Sequence, residues 1–370
     1  MTQVADAQVT AALRTHGSLT RQDLSRMTGC SMATVIRAVA RLSTSGVVVS
    51  AGLKPSTGGR PSELLSYNGV GLMAAGISVT ERSASGVLLS LDGEAITRAE
   101  EIFSPQEGPD VRLARTIELA KRLLANPDGR VCGLGVGVPG VVGPTGRLSA
   151  IHEIGWDRLA LGDLLSRQTK VPVVVENDAN CLAVAEHLRG AGRGVDNLVA
   201  IVVSSGLGAG LITNGQLYRG LHHEAGEIGY LLTERSSLRR LFPDRGELEQ
   251  LIGGDRLLQK GREFGLPSPD QATLAHLISL GVGSDGAARE FSDELLDLSA
   301  LAISAMCVVL DPELVIIGGS GDELDMNNVI TGVRERLPGR ILRVPRMEAA
   351  ALGKDAIMVG AAQLALPSLV

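Results

Sequence analysis

The stretch VPVVVENDANCLAVAEHLR, residues 171–189, sets the pattern for most of this 370-residue chain. Its first part, Val171–Val175, is a short β-branched run typical of a buried strand. The polar triplet Glu176-Asn177-Asp178 follows, and Ala179–Arg189 has the composition of a helix. Because ligands bind at the carboxyl ends of strands in open α/β sheets, polar residues at this point predict a ligand site as well as an α/β fold.

Similar strand and helix patterns continue on both sides of this stretch from about residue 70. Glycine-rich turns separate them, and Gly supplies 46 residues, well above the usual ~7%. The predicted elements are the strands Val87–Leu91, Glu94–Ile102, Val131–Val138, Leu198–Val203, Gly208–Ile212 and Glu313–Ile317, and the helices Val111–Leu124 and Glu294–Val309. Alternation of this kind predicts an α/β body.

The first 66 residues differ from this body in charge. They hold seven basic and three acidic residues, a net charge of +4, whereas the other 28 basic and 38 acidic residues give −10. A basic module on an acidic body indicates that one end alone meets a polyanion. With one Trp, three Tyr and four Phe, the chain is poorly equipped to stack the bases of a single-stranded nucleic acid.

The basic module has the pattern of three helices. Thr20 is placed to cap the second helix and Ser31 the third, with Gly29 in the turn between them. On the third helix, Val35, Val39 and Leu42 form an apolar stripe opposite the polar stripe of Thr34, Arg37 and Arg41. This is the helix-turn-helix arrangement, in which the last helix enters the DNA major groove. The alternative is a three-helix module with a solvated charged face.

A predicted hairpin follows these helices. Val47–Ala51 and Glu63–Ser66 would pair as a wing, with Lys54 and Arg60 in the connecting loop. The sequence GGRPSE, residues 58–63, would let Arg60 enter a minor groove, although an ordinary interdomain linker has the same composition. We therefore predict a DNA-binding domain at residues 1–66, with base or backbone contacts from Ser31, Thr34, Arg37, Arg41, Lys54 and Arg60, and a sensor and oligomerisation domain at residues 67–370.

Cysteine usage and hydropathy predict the cellular environment. The four cysteines, at positions 30, 132, 181 and 307, share no close spacing, which argues against a disulfide scaffold and fits a reducing compartment. The longest apolar run, Leu298–Leu310, has 13 residues and is too short to cross a bilayer. No signal-peptide pattern precedes the module. We expect a cytoplasmic protein that does not contact membranes.

The order of motifs resembles the ROK family (repressor, open reading frame, kinase). The matching pieces are GVGVPGVV (135–142), GW (155–156), VVVENDAN (173–180), SSGLGAGLITNGQLYRG (204–220), AGEIGY (225–230), RGELE (245–249), VIIGGSG (315–321) and LGKDAIMVGAA (352–362). The resemblance implies an α/β fold with an N-terminal winged helix-turn-helix and a two-lobed, actin-like body of the sugar-kinase type.

The resemblance also implies a set of ligand-binding residues. Asp178 matches the acidic catalytic residue of the family, here a vestigial base candidate, and Asn177, Glu227 and Glu249 match sugar contacts. His152 stands where the family has an Asn. Carboxylates and amides suit a polyol, since both accept hydrogen bonds from hydroxyl groups. For Asp178 the alternative interpretation is a helix N-cap.

The chain lacks some of the residues that phosphoryl transfer requires in the family. The family's DIGGTK slot holds Ser78–Ser83, so Ser78 replaces the acid that organises Mg²⁺, and Thr80 and Glu81 replace glycines that approach phosphate. The second phosphate cradle, Ser205–Gly208, keeps its glycines but could equally be a structural turn. We therefore predict no phosphoryl transfer and no cofactor.

The family's structural zinc site is also altered. Its ligand positions, a His and three Cys, are occupied by Tyr230, Arg240, Phe242 and Glu247. Among these, Glu247 alone has a side chain that binds zinc. We predict no metal.

The leading hypothesis is a DNA-binding transcriptional regulator, in the first place a repressor, that binds a double-stranded operator as a homodimer or homotetramer and senses a sugar or sugar phosphate. One alternative is an ATP-dependent sugar kinase with a regulatory DNA-binding head. The other is a ligand-independent regulator with a vestigial pocket.

Overall fold

The computed structural model describes residues 2–54, 61–69, 71–125, 129–149, 154–203, 206–266, 272–319 and 323–366. The chain folds into a small N-terminal head and a larger body. The head consists of α1 (Thr2–His16), α2 (Arg21–Thr28), α3 (Met32–Ser45) and the antiparallel hairpin of β1 (Val48–Lys54) and β2 (Ser62–Tyr67).

Local signals set the limits of the head helices. Thr20 caps α2 in a capping box with Asp23, and Gly29 ends that helix with φ 71°. The Ser31 side chain accepts a hydrogen bond from the Thr34 backbone N–H and caps α3. The caps predicted from sequence are thus confirmed, because each depends on residues within one helical turn. One placement is wrong: Lys54 is the last residue of β1, paired with Ser62, and not part of the loop.

The body contains two five-stranded sheets. The first has the order β5-β4-β3-β6-β7, and the second β10-β9-β8-β11-β12. In each sheet three antiparallel strands precede two parallel ones. The strands are β3 (Leu72–Val79), β4 (Ser83–Ser90), β5 (Ala95–Ile102), β6 (Arg130–Val138), β7 (Val173–Asn177), β8 (Leu198–Val203), β9 (Leu207–Thr213), β10 (Gln216–Leu217), β11 (Leu314–Gly319) and β12 (Arg346–Ala349).

The body has two lobes, each built from one sheet and the helices that pack on it. The first lobe contains β3–β7 with α4 (Pro109–Leu123) and α5 (Leu161–Thr169). The second contains β8–β12 with α7 (Glu247–Ile252), α8 (Gly254–Glu263), α9 (Leu274–Gly281), α10 (Ala287–Leu310) and α11 (Glu323–Arg336). The two-lobed α/β architecture agrees with the sequence prediction. Helices α5, α7, α8, α9 and α11 were not predicted, and α10 begins earlier than the expected Glu294.

Two further helices, α6 (Asp178–Arg189) and α12 (Ala356–Ala365), form a central pair. Each packs on the other and on the sheet of the lobe that it does not follow: α6 on β8 and β9, and α12 on β3, β4 and β6. The contact is close because glycines line it. A side chain at Gly360 would overlap the carbonyl group of Cys181, and one at Gly210 would overlap that of Ala179.

The head packs directly on the first lobe. Buried residues of its three helices and hairpin, among them Val9, Leu24 and Val35, form one apolar cluster with Leu72, Leu91 and Leu366 of the body. Burial of this shared cluster stabilises the contact. Among the described residues, no helix is both long and apolar enough to cross a membrane.

Candidate functional site

A cavity of about 230 Å³ lies between the lobes, at the carboxyl ends of β6, β7 and β8. Its volume is below the roughly 300–1,000 Å³ of sites for drug-sized ligands, which favours a small occupant. Of the predicted ligand residues, the structure brings four together in its lining: Asn177, Asp178, Glu227 and Glu249. His152 lies outside the described residues.

The first-lobe wall is held by the turn from β7 into α6. The Asn177 side chain caps α6, since its Oδ1 accepts a hydrogen bond from the Asn180 N–H at 3.1 Å, and its Nδ2 donates to the Gly140 carbonyl at 3.1 Å. The interpretation of Asp178 as the cap is therefore wrong. Asp178 is the first helical residue, and its Oδ1 accepts from the Ala179 N–H at 2.8 Å. Its carboxylate lies at the positive end of the helix dipole.

An ion pair between the buried Glu176 and the partly exposed Arg219 supports this turn. Glu176 is 4% exposed. Its Oε1 accepts from the Asn180 Nδ2 and the Asn177 N–H, each at 3.0 Å, and its Oε2 accepts from Arg219 Nε at 2.6 Å. Arg219 follows β10 of the second lobe, so the pair joins both lobes beside the cavity. Sequence reasoning missed both residues, although Glu176 lies in the motif VVVENDAN and Arg219 in the motif SSGLGAGLITNGQLYRG.

The second-lobe wall is acidic. Asp244, Glu227 and Glu249 line it together with Tyr230 and Arg245. Burial raises the pKa of Tyr230, and the neighbouring carboxylates, Glu249 first, raise it further. Arg245 is bound at 2.7 Å to Asp255 and lies 4.0 Å from Glu249. With Asp178 opposite, four carboxylates face one guanidinium, so the cavity has a negative potential.

The turn between β3 and β4 occupies the family's first phosphate cradle. The Thr80 side chain accepts hydrogen bonds from the backbone N–H groups of Arg82 at 3.2 Å and Ser83 at 3.0 Å. Thr80 itself donates its N–H to the Ser83 carbonyl at 2.8 Å. Three backbone N–H groups of this turn, those of Thr80, Arg82 and Ser83, are therefore used within it, and Glu81 adds a negative charge. Of the second cradle, Gly206–Gly208 line the cavity, and Ser205 lies outside the described residues.

The residues in the zinc positions form a different kind of site. Glu247 is buried and accepts hydrogen bonds from Ser237 Oγ at 2.6 Å and the Thr233 N–H at 2.8 Å. Burial raises its pKa, but these hydrogen bonds and the charge of Arg240 hold the pKa below its ordinary value. Arg240 stacks on Phe242 at 5.0 Å. This set does not fit zinc, and no cluster of metal-binding side chains occurs among the described residues.

Four of the predicted DNA-binding residues, Ser31, Thr34, Arg37 and Arg41, belong to α3 or its N-cap. Ser31, Arg37 and Arg41 are exposed and Thr34 is partly exposed. The Arg41 guanidinium binds both carboxylate oxygens of Asp6, at 2.6 and 3.0 Å. Lys54 lies 3.6 Å from Asp23, and Arg60 is outside the described residues.

Two apolar side chains on the same helix were missed by sequence reasoning. Met32 and Ile36 are 41% and 48% exposed on the amino-terminal half of α3. Exposed apolar side chains at this position can contact thymine methyl groups. The signal was present as two apolar residues outside the Val35–Val39–Leu42 stripe.

The comparisons with known proteins agree with this geometry. The sequence profile of the ROK family matches residues 74–367. The xylose repressor of Bacillus subtilis is 26% identical over 360 residues, which cover 95% of this chain and 92% of that protein. The glucokinase of Thermotoga maritima is 28% identical over 265 residues, which cover 67% and 82% of the two chains.

Solved structures show the same fold. A ROK family transcriptional regulator, homologous to the E. coli MLC protein, matches with a TM-score of 0.75 at 24% identity and covers 99% of this chain and 96% of that chain. A ROK family glucokinase from Streptomyces griseus has a TM-score of 0.64 at 25% identity and covers 79% and 98%. This chain belongs to the ROK family.

Proposed function

We propose that this protein is a DNA-binding transcriptional repressor whose body senses an unphosphorylated sugar and does not transfer phosphate. The proposal is carried by three features together: a head of three helices and a hairpin packed on the body, a cavity lined by carboxylates, and a β3–β4 turn that uses backbone N–H groups within itself. The repressor relative aligns with 95% of the chain, head included, which supports this choice.

The head reads DNA through α3. Arg37 is the principal major-groove residue, since no ion pair among the described residues involves it. Ser31, Thr34, Met32 and Ile36 lie on the first turns of the same helix, nearest the bases. Arg41 is bound to Asp6 and supports the orientation of α1 and α3, and its guanidinium reaches DNA only after leaving that carboxylate. Lys54 and Arg60 contact the DNA backbone or the minor groove.

The negative cavity selects the ligand class. Carboxylates accept hydrogen bonds from hydroxyl groups, and they repel a phosphate group at the short distances of a small cavity. A neutral sugar fits better than a sugar phosphate. D-xylose is the first sugar to test, because relatives along nearly the whole chain are xylose repressors. Binding would favour a conformation whose two DNA heads no longer match two half-sites, which requires a homodimer or homotetramer.

The test is operator binding with and without sugar. DNA selected by the full chain from a random duplex library would be measured by fluorescence anisotropy with millimolar D-xylose, D-glucose or glucose 6-phosphate. We expect weaker operator binding with one neutral sugar and no effect of the phosphorylated one. Arg37→Ala should relax base preference, whereas Lys54→Ala should weaken binding to all sequences and flatten the salt slope by about one. Failure to select any sequence would contradict the proposal.

A second candidate is a sugar kinase with a regulatory head, favoured by Asp178 in the cavity and by the glucokinase relatives. It predicts ATP-dependent phosphorylation of a hexose that is lost in Asp178→Asn. We expect no turnover, since the β3–β4 turn uses its own N–H groups. A ligand-independent regulator would show no thermal stabilisation by any sugar at millimolar concentration.

A further inference from the structure

Helix α6 connects the cavity to the head. Its amino end carries Asn177 and Asp178 into the cavity lining, and its last residue, Arg189, lies at the surface on which the head packs. At 1.5 Å per residue the 12 residues span roughly 18 Å. One short rigid element therefore touches both candidate sites.

Arg189 binds the turn that follows β4. Its NH1 group donates to the Asp92 carbonyl at 2.7 Å and its NH2 group to the Leu91 carbonyl at 3.4 Å. Nε and NH2 also donate to Gln363 Oε1 of α12, at 3.0 and 2.9 Å. The guanidinium thus ties the end of the central helix pair to one backbone turn, in a fixed orientation that its planar set of donors favours.

The same turn contacts the head. The Asp92 carboxylate pairs with Arg14 of α1 at 3.2 Å. The Arg14 guanidinium lies 5.3 Å above the ring of Tyr67, the last residue of the wing. Leu91 belongs to the apolar cluster that includes the head helices. We call Arg14, Tyr67, Leu91, Asp92 and Arg189 the junction.

Helix α6 cannot absorb a displacement by deforming. Close contacts at Gly210 and Gly360 leave no space between it and its neighbours. Glu186, fully buried near its carboxyl end, accepts hydrogen bonds from the Leu352 N–H of the second lobe at 2.9 Å and the Ala191 N–H at 2.8 Å. The second lobe and α6 therefore move together, because a buried carboxylate that loses its partners is costly.

We propose that α6 transmits ligand occupancy of the cavity to the DNA-binding head, with Arg189 as the coupling residue. A ligand that draws the second-lobe wall towards residues 139–141 of the first lobe moves α6 together with the second lobe, and Arg189 carries the shift to the Leu91–Asp92 turn beneath Arg14. The inference rests on the proposed function and adds the route of its regulation. Arg189 is a positioning residue here, since it contacts neither ligand nor DNA.

The experiment measures coupling separately from both binding events. In Arg189→Met the apolar stem stays and the guanidinium is lost. Arg193→Met removes an exposed arginine from the loop after α6 and is the matched control. Operator affinity is measured by anisotropy with and without the neutral sugar that releases the wild type, and sugar affinity by calorimetry. Coupling is the ratio of operator affinity without sugar to operator affinity with sugar, and values of roughly 5–150-fold are ordinary. We expect a ratio of about 10-fold or more in the wild type and below about 3-fold in Arg189→Met. Sugar affinity and sugar-free operator affinity should remain close to wild type.

A second variant addresses the junction from the head side. Arg14→Met leaves the body intact, breaks the pair with Asp92 and should also reduce the ratio, so the test stands even if Arg189→Met folds poorly. Full wild-type coupling in either folded variant, or equal loss of coupling in Arg193→Met, would overturn the inference while the proposed function survives. If operator binding by the wild type responded to no sugar, both the proposed sugar sensing and this inference would be contradicted.

Discussion

The two lobes of the body share one strand order but differ at the corresponding hairpin turn. In the first lobe, Thr80 closes the turn between β3 and β4 with its own side chain. In the second, Gly206 and Gly208, on either side of the first residue of β9, line the cavity. The strand order tolerates either turn because packing of the sheet sets the hairpin, whereas phosphate binding depends on the backbone N–H groups of a few turn residues. A lobe can therefore differ at this turn and keep its fold.

The largest expected effect comes from disrupting the contact between α6 and α12, the helix pair that packs on both lobes. Gly360→Val would force a branched side chain against the Cys181 carbonyl in the central helix pair. We expect a loss of about 4 kcal/mol or more in the free energy of unfolding, measured by urea denaturation. Gly143→Ala is the control and should change stability little, because the added Cβ would lie 3.6 Å from the Arg147 carbonyl oxygen, an ordinary contact distance. Equal stability of Gly360→Val and wild type would contradict the close packing of α6 and α12.

The next effect concerns the ion pair that joins the lobes. Glu176→Gln removes the charge that pairs with Arg219. Because the Arg219 side chain is 30% exposed, we expect a loss of about 2–3 kcal/mol in the free energy of unfolding. Sugar binding should also weaken, since the Asn177–Asp178 turn loses its support. Glu118→Gln, which breaks an exposed pair with Lys121, should cost less than about 1 kcal/mol. Unfolding free energies and calorimetric sugar affinities would be compared. Unchanged sugar affinity in Glu176→Gln would show that the ion pair does not influence ligand binding in the cavity.

A smaller effect on stability, which depends on pH, is expected at Glu247 in the second lobe. The pKa of Glu247 is lowered in the folded protein, so its ionised form stabilises the fold above the unfolded value of about 4.5. That contribution is lost as the pH falls through the lower folded pKa. Glu247→Gln should cost about 2 kcal/mol at neutral pH, and the difference from wild type should shrink below pH 4.5. Denaturant titrations at several pH values test this, and a constant difference would contradict it.

The smallest effect is expected at the closed turn of the first lobe. Thr80→Ala removes the acceptor of two backbone N–H groups and should cost about 1 kcal/mol, since exposed groups regain hydrogen bonds to water. Sugar affinity should stay the same, because Thr80 is not part of the cavity lining. Thermal unfolding and calorimetry measure both quantities. A change in sugar affinity would show that the first-lobe turn still communicates with the cavity.

Much of the fold was predictable from local patterns. Thr20, Gly29 and Ser31 marked the limits of the head helices, and β-branched runs marked β6, β7 and β8. The helices α7, α8 and α9 escaped prediction because they are short and are stabilised by packing in the second-lobe core more than by propensity. At the candidate site, the motifs identified Asn177, Asp178, Glu227 and Glu249, since these side chains follow strands or turns that the motifs define.

The sequence by itself determined which chemistry is present: the basic head, the carboxylates of the cavity, and the replacement of glycines and zinc ligands in the two altered motifs. These are properties of residue identity and short spacing. Only the tertiary structure decided that Asn177 binds the Gly140 carbonyl, that Arg41 binds Asp6, and that Arg189 meets the turn beneath the head. Such pairs are separated by up to 97 residues along the chain, and a side chain finds a partner at that distance only after the packing of whole elements has brought the two together.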